Sequence, residues 1–178
     1  MTKKIAIVFG AGGEVFDPAN GEAVLTTRCK RIGLDVGASP YNYTDSQAIY
    51  EFLKDADWAA VVGDSFGADY AVDYARSLSP KKVDFIGGFQ PSVYASNIET
   101  DDPDGIPYVV VPKNVIHARC FRDPLWIQTL GLGYATWKAE DKKATDLKVL
   151  EHYNAHPDDW GYTQNIMFAD IQYFLEHP

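Results

Sequence analysis

Sulfur, basic charge and long apolar runs are all scarce in this chain. Among 178 residues there are two cysteines, Cys29 and Cys120. One falls in a helical pattern and the other in an extended one, and neither has a metal-type spacing such as C-x-x-C. Both are therefore expected as buried, reduced thiols. Lys and Arg number 16 against 25 Asp and Glu, leaving a net charge of −9 at pH 7. A chain that neutralises phosphates needs the opposite balance, so sequence-independent nucleic-acid binding is excluded and an anionic membrane surface is disfavoured. No apolar run approaches the roughly 20 residues of a membrane span. Lys3 and Lys4 are followed only by Ile5 to Phe9 before glycines begin, too short a stretch for the core of a signal peptide. The expectation is a cytoplasmic protein without stable membrane insertion. There is no internal repeat, low-complexity segment or linker, and 46% hydrophobic residues is ordinary for one soluble domain spanning 1–178.

What is present is alternation. Lys4–Phe9 reads as a short, continuously apolar, buried parallel strand. A helix follows over Asn20–Ile32, with Ala23, Val24, Cys29 and Ile32 available for one face and Gly33 to end it. Leu34–Gly37 reads as a second strand. Thr44-Asp45 opens a helix to about Asp55 that turns Ala48, Ile49, Phe52 and Leu53 to the core. Ala59–Val62 is a third strand, and the helix after it runs to Leu78, where Pro80 stops it. Val83–Gly87 and Val115–Phe121 read as the fourth and fifth strands, with Tyr108–Val111 extended between them. Leu147–Tyr153 alternates as a sixth, more exposed strand. The last helix, about Trp160 to Leu175, carries Ile166, Phe168, Ile171, Phe174 and Leu175 on one stripe. Strands alternating with helices imply a three-layer α/β/α fold around a mostly parallel sheet of about six strands.

Chemistry concentrates where the third strand ends. Gly63-Asp-Ser-Phe-Gly67 is a G-x-S-x-G motif between an apolar run and a helix, a context that lifts a serine hydroxyl above the sheet edge. The bland alternative is a glycine-rich turn with a capping serine. A serine nucleophile needs a base in reach and an acid to orient that base. In a parallel sheet these gather at the carboxyl ends of strands. Asp123 follows the fifth strand and His156 follows the sixth, so Ser65, Asp123 and His156 emerge on one edge in the order Ser, Asp, His. His152 is the nearest rival base, because strand ends are the least certain feature; His117 is mid-strand and His177 terminal. An oxyanion needs two donors. The Phe66 N–H at the helix start is one, and Ala11 or Gly12 of Gly10-Ala-Gly-Gly13 supplies the other. As a dinucleotide fingerprint that loop fails at its final glycine, and Glu14 would repel phosphate.

With these motifs the chain resembles the α/β-hydrolase superfamily in a compact form. Phe9-Gly-Ala-Gly-Gly13 is similar to its oxyanion loop and Gly63-Asp-Ser-Phe-Gly67 to its nucleophile elbow. Cys120-Phe-Arg-Asp-Pro124 is similar to its acid turn, and Asn154-Ala-His-Pro157 to its histidine loop. The resemblance implies a minimal α/β-hydrolase fold and cofactor-free, metal-free cleavage of an ester, thioester or amide on a small-molecule acyl substrate through an acyl-enzyme. Ser65, Asp123 and His156 take the roles of nucleophile, acid and base. The departures are Phe9 in place of a common histidine, a start at the family's third strand, and no full cap domain. Short lids over 90–112 and 124–146 are expected to bring Tyr94, Trp126 and Tyr134, and also Trp137, to the substrate or else to pack them over the sheet edge. Gly63-Asp-Ser65 also opens like the SGNH hydrolases, but there the serine follows the first strand and an Asp stands three residues before the histidine, where this chain has Tyr153. A non-catalytic binding scaffold of the same fold is the alternative function.

Overall fold

Along β1 (Lys3–Phe9) the side chains divide between two cores. Ile5 and Ile7 join one and Ala6 and Val8 the other, as the two-residue period of a strand buried on both faces requires. The computed structural model describes residues 1–10, 21–91, 108–122, 136–151 and 162–178. Within them a six-stranded sheet runs β2 (Tyr41–Asn42), β1, β3 (Trp58–Asp64), β4 (Val83–Phe89), β6 (Val115–Arg122), β8 (Asp146–Glu151). Every neighbouring pair is parallel. This order is that of a minimal α/β-hydrolase sheet.

Helices α1 (Gly21–Arg31) and α4 (Thr163–Glu176) cover one face, and α2 (Ser46–Leu53) and α3 (Phe66–Ser77) the other. The second face is completed by a two-stranded parallel ladder, β5 (Tyr108–Val111) with β7 (Thr136–Ala139). Val109, Val111 and Trp137 are buried there in the same core as Ala68, Ala71 and Val72 of α3, and the Trp137 ring lies against Gly88. Trp137 thus packs under the layer.

The expected second strand is displaced. Leu34–Gly37 contributes one bridge, Lys4 to Asp35, and the ladder forms at Tyr41–Asn42 instead. Gly33 and Gly37 both take positive φ, 85° and 55°, which interrupts extension on either side of Leu34–Val36. The buried face of α1 is Glu22, Leu25 and Cys29, with Ala23, Val24 and Ile32 half-buried, a rotation of about one residue from the expected stripe. In α2, Ile49 and Leu53 are buried and Ala48 is exposed. The Asp45 carboxylate accepts from the Asn42 N–H and makes no cap bond to the helix. In α4, Met167 replaces Ile166 and Phe168 at the fully buried positions beside Ile171, Phe174 and Leu175. Cys29 and Cys120 are both buried and unpaired, and burial pushes each thiol up to about 12. No helix among the described residues is long and apolar enough to cross a membrane.

Candidate active site at the carboxyl edge of the sheet

The sheet register decides which residues meet at this edge. Phe9 stands level with Asn42, Val8 with Gly63, Asp64 with Phe89, and Phe121 with Leu150. Carried one step past the ends of β2, β1, β3 and β4, this register sets Tyr43, Gly10, Ser65 and Gln90 level with Arg122 and Glu151, the last residues of β6 and β8. Asp123 is the next residue after β6, and His156 follows β8 in the chain.

Ser65 occupies a sharp turn between β3 and α3, with φ 52° and ψ −120°. A non-glycine residue is rarely found there, and holding it costs on the order of 1–3 kcal/mol. The surroundings impose that shape. A Cβ on Gly63 would overlap the Gly67 carbonyl and sit 2.6 Å from the Ala68 nitrogen. A Cβ on Gly67 would lie 2.6 Å from the Val8 carbonyl oxygen of β1. The two glycines of the motif therefore let α3 start directly against β1 and β3. Gly10 completes the packing, since a Cβ on it would be 2.7 Å from the Ser65 Cβ and 3.3 Å from the Phe66 nitrogen. The loop after β1 thus begins in contact with the serine and with the first amide of α3. The turn is tied sideways as well: the Ser65 N–H donates to the Phe89 carbonyl at 2.9 Å, and the Ala68 N–H to the Ser65 carbonyl at 3.1 Å. Ser65 and Phe66 are half-buried, on the boundary between core and solvent.

Gln90 is the second feature of this edge. It has φ 48°, and with Ser65 it is one of two non-glycine residues of positive φ among the described residues. It is 5% exposed, and its N–H donates to the Phe121 carbonyl at 2.8 Å. Two strained residues on adjacent strand ends, one step beyond the ladder, are where strain that serves a function collects. No sequence signal marks Gln90, because glutamine is not a left-handed residue by preference. Two buried carboxylates neighbour the turn in sequence: Asp64, 8% exposed, ends β3, and Asp69, 2% exposed, stands in the first turns of α3.

Of the site residues expected from sequence, Ser65 and Phe66 are described, Ser65 in the turn and Phe66 as the first residue of α3. Ala11, Gly12, Tyr94, Asp123, Trp126, Tyr134, His152 and His156 lie outside the described residues. His117 and His177 stand apart from Ser65. His117, towards the amino end of β6, stacks on Phe174 with ring centroids 3.8 Å apart, its Nδ1 3.4 Å from Asp146. His177 stacks on Tyr173. Among the described residues no cluster of three or more His, Cys, Asp or Glu is set to hold a metal ion. A cleft of about 690 Å³ runs along α3 past Asp69, Asp73 and Arg76 to Tyr108 and Lys113, and Ser65 does not line it. Burial there pushes the Asp73 carboxyl up, against the opposing pull of Arg76.

No family profile matches the chain, and no curated protein matches it in sequence. Three solved structures are similar to it in fold. A Xanthomonas campestris pv. campestris protein, assigned in its description to the α/β superfamily of hydrolases, is 13% identical, with TM-score 0.48 over 96% of this chain and 98% of its own. A dienelactone hydrolase-like promiscuous phosphotriesterase from metagenomic libraries is 16% identical, with TM-score 0.49 over 98% and 87%. RedJ, solved with a polyethylene glycol molecule in its active site, is 12% identical, with TM-score 0.46 over 96% and 93%. Identities this low leave the activity to be argued from the chain's own residues.

Proposed function

We propose that this protein is a serine hydrolase that cleaves a carboxylic ester through an acyl-enzyme. The observation that carries the reading is the Ser65 turn: a half-buried serine at φ 52°, ψ −120°, between a fully buried strand and a helix start, with Gly10 packed against it. This is the shape a nucleophile elbow needs. In this reading His156 takes the proton from Ser65 Oγ as the oxygen attacks the acyl carbon. Asp123 holds the imidazole in the right tautomer and stabilises the imidazolium. The N–H groups of Phe66 and of Ala11 or Gly12 bind the oxyanion; the close approach of Gly10, the residue before Ala11, to Ser65 and the Phe66 nitrogen supports this reading. His156 then protonates the leaving alcohol, and water repeats the sequence on the acyl-enzyme. In the same reading Tyr94, Trp126 and Tyr134, from the two expected lid stretches 90–112 and 124–146, line the substrate surface.

The test is intact-mass analysis after exposure to a fluorophosphonate, beside Ser65→Ala. A single adduct on the wild type, absent from Ser65→Ala, is expected, with esterase activity falling by several orders of magnitude in the variant. A folded wild type that takes no adduct at neutral pH sinks the reading. The second reading, a non-catalytic binding scaffold, then leads; the buried carboxylates Asp64 and Asp69, which bracket Ser65 in sequence, are the observation in its favour, since carboxylates close to a base would raise its pKa.

A further inference from the structure

Phe66, Tyr70 and Tyr74 recur every fourth residue along α3 and so share one face of it. Tyr43, just beyond β2, lies over that face: its ring centroid is 6.0 Å from Phe66 and 5.3 Å from Tyr70, and Tyr70 is 6.1 Å from Tyr74. The four rings form a ladder graded in burial. Tyr74, at the deep end, is 3% exposed, while Tyr43, Phe66 and Tyr70 are half-buried. The deep end is anchored, because the Tyr74 hydroxyl donates to the Tyr43 carbonyl and ties the β2 loop to α3. The shallow end is Phe66, the residue after Ser65.

We propose that Tyr43, Phe66 and Tyr70 form the acyl-binding wall of the site and select substrates with a flat, aromatic acyl group. The inference rests on the serine hydrolase reading and adds the side of the substrate that the wall meets. The sheet order puts Tyr43 and Gly10 on one flank of Ser65 and the ends of β6 and β8 on the other. A leaving alcohol must face the base that protonates it, and His156 follows β8. The acyl part is left with the opposite flank, where the rings are. Tilted rings with centroids 5 to 6 Å apart present edges and faces in the spacing that aromatic pairs favour, so one further ring continues the ladder where a saturated ring of similar size does not. The wall is also pre-ordered, since α3 and the Tyr74 hydrogen bond hold it before substrate arrives.

The experiment compares kcat/KM on p-nitrophenyl benzoate and p-nitrophenyl cyclohexanecarboxylate, which share a leaving group, for the wild type, Tyr43→Ala, Tyr70→Ala and the gentler Tyr43→Leu and Tyr70→Leu. The wild type is expected to favour the benzoyl ester by about tenfold, the upper end of what one added aromatic pair supplies. Each folded variant is expected to lose most of that ratio, the leucine variants showing that aromatic character, not volume, is read. A companion series of benzoates with different alcohols is expected to keep its ranking in all variants. A wild type that labels with fluorophosphonate but shows no benzoyl preference overturns this inference alone. So do variants that keep the preference, or that shift the ranking of leaving groups instead. A wild type that takes no label overturns the hydrolase reading and this inference with it.

Discussion

β3 and β8 are parallel strands of one sheet, yet they are held in place by different forces. Every residue of β3 is buried, and its neighbours on both sides are apolar strands. Among the described residues β8 is an edge strand without a fully buried residue, and Val149 is 37% exposed. Beyond its ladder with β6 and the half-buried Leu147 and Leu150, what ties down β8 is charge from β6. Arg119, its side chain 1% exposed, donates to the Asp146 carboxylate at 3.0 Å, to the Asp146 carbonyl at 3.0 Å and to Asp170 of α4 at 2.9 Å. Arg122 pairs with Glu151 at the carboxyl end. Charged edges also discourage strand pairing with other chains. The consequence for the proposed site is asymmetric: Ser65 rides on a strand locked by apolar packing, whereas His156 follows a strand tied by ion pairs.

The largest expected effect is on the packed side. In Gly63→Ala the new methyl overlaps the Gly67 carbonyl, and backbone on both sides of the turn must move. Overpacking against backbone costs about 3 kcal/mol or more, measurable by urea denaturation. A loss below about 1 kcal/mol would show that the Ser65 turn is not locked and that the contrast with β8 is smaller than drawn.

On the charged side, Arg119→Met keeps the stem and removes three ties to Asp146 and Asp170. Those carboxylates are 48% and 26% exposed and recover water when released, so the expected loss is smaller, about 2 kcal/mol. The pH dependence gives the effect a signature. Burial pushes the Asp146 carboxyl up, but the hydrogen bond and charge of Arg119, with smaller help from the His117 hydrogen bond and the Lys148 charge, together outweigh it and hold the group below the usual carboxylate range. A folded-state pKa below the unfolded one contributes stability that is present above the unfolded value, about 3.9, and is lost as pH falls through the lowered one. Urea midpoints between pH 5 and 2 are therefore expected to fall less steeply for Arg119→Met than for the wild type. Equal slopes would mean that Arg119 does not carry the docking of β8.

The same contrast explains what the sequence made legible. The Ser65 turn was readable because one force dominates it: an apolar run, two small residues and a helix stand within a dozen positions. The alternation of strands and helices in the first half is local in the same way. Arg119 was not readable, since it sits in what scans as an apolar strand and its partners are 27 and 51 positions away. The β5–β7 ladder was half visible, for a four-residue apolar run signals extension but not the distant parallel partner that buries it. The small error in α1 has a related cause. Cys29 is buried as expected, but Glu22 and Leu25 join it where Ala23 and Val24 were expected, and nothing local separates the two stripes until the sheet is underneath. Tyr43 carries no signal in the sequence, because only the register of β2 brings it level with Ser65.

The smallest expected effect isolates strain at the end of β3 from everything catalytic. Two variants remove the serine hydroxyl alike, Ser65→Ala and Ser65→Gly, and both are expected to be inactive. They differ in how the backbone tolerates φ 52°. Alanine keeps the Cβ and with it the steric cost of the turn, while glycine occupies that region freely but adds entropy to the unfolded chain. At a position of positive φ the first term outweighs the second, so the glycine variant is expected to be more stable than the alanine variant by about 1 kcal/mol. Paired urea titrations resolve a difference of this size. If alanine proves as stable as glycine, the turn relaxes once the serine is gone, and Gly10, Gly63 and Gly67 do not impose the shape. If glycine is the more stable, the fold holds a strained residue at that one place and accepts the cost there, on the strand whose packing is strong enough to bear it.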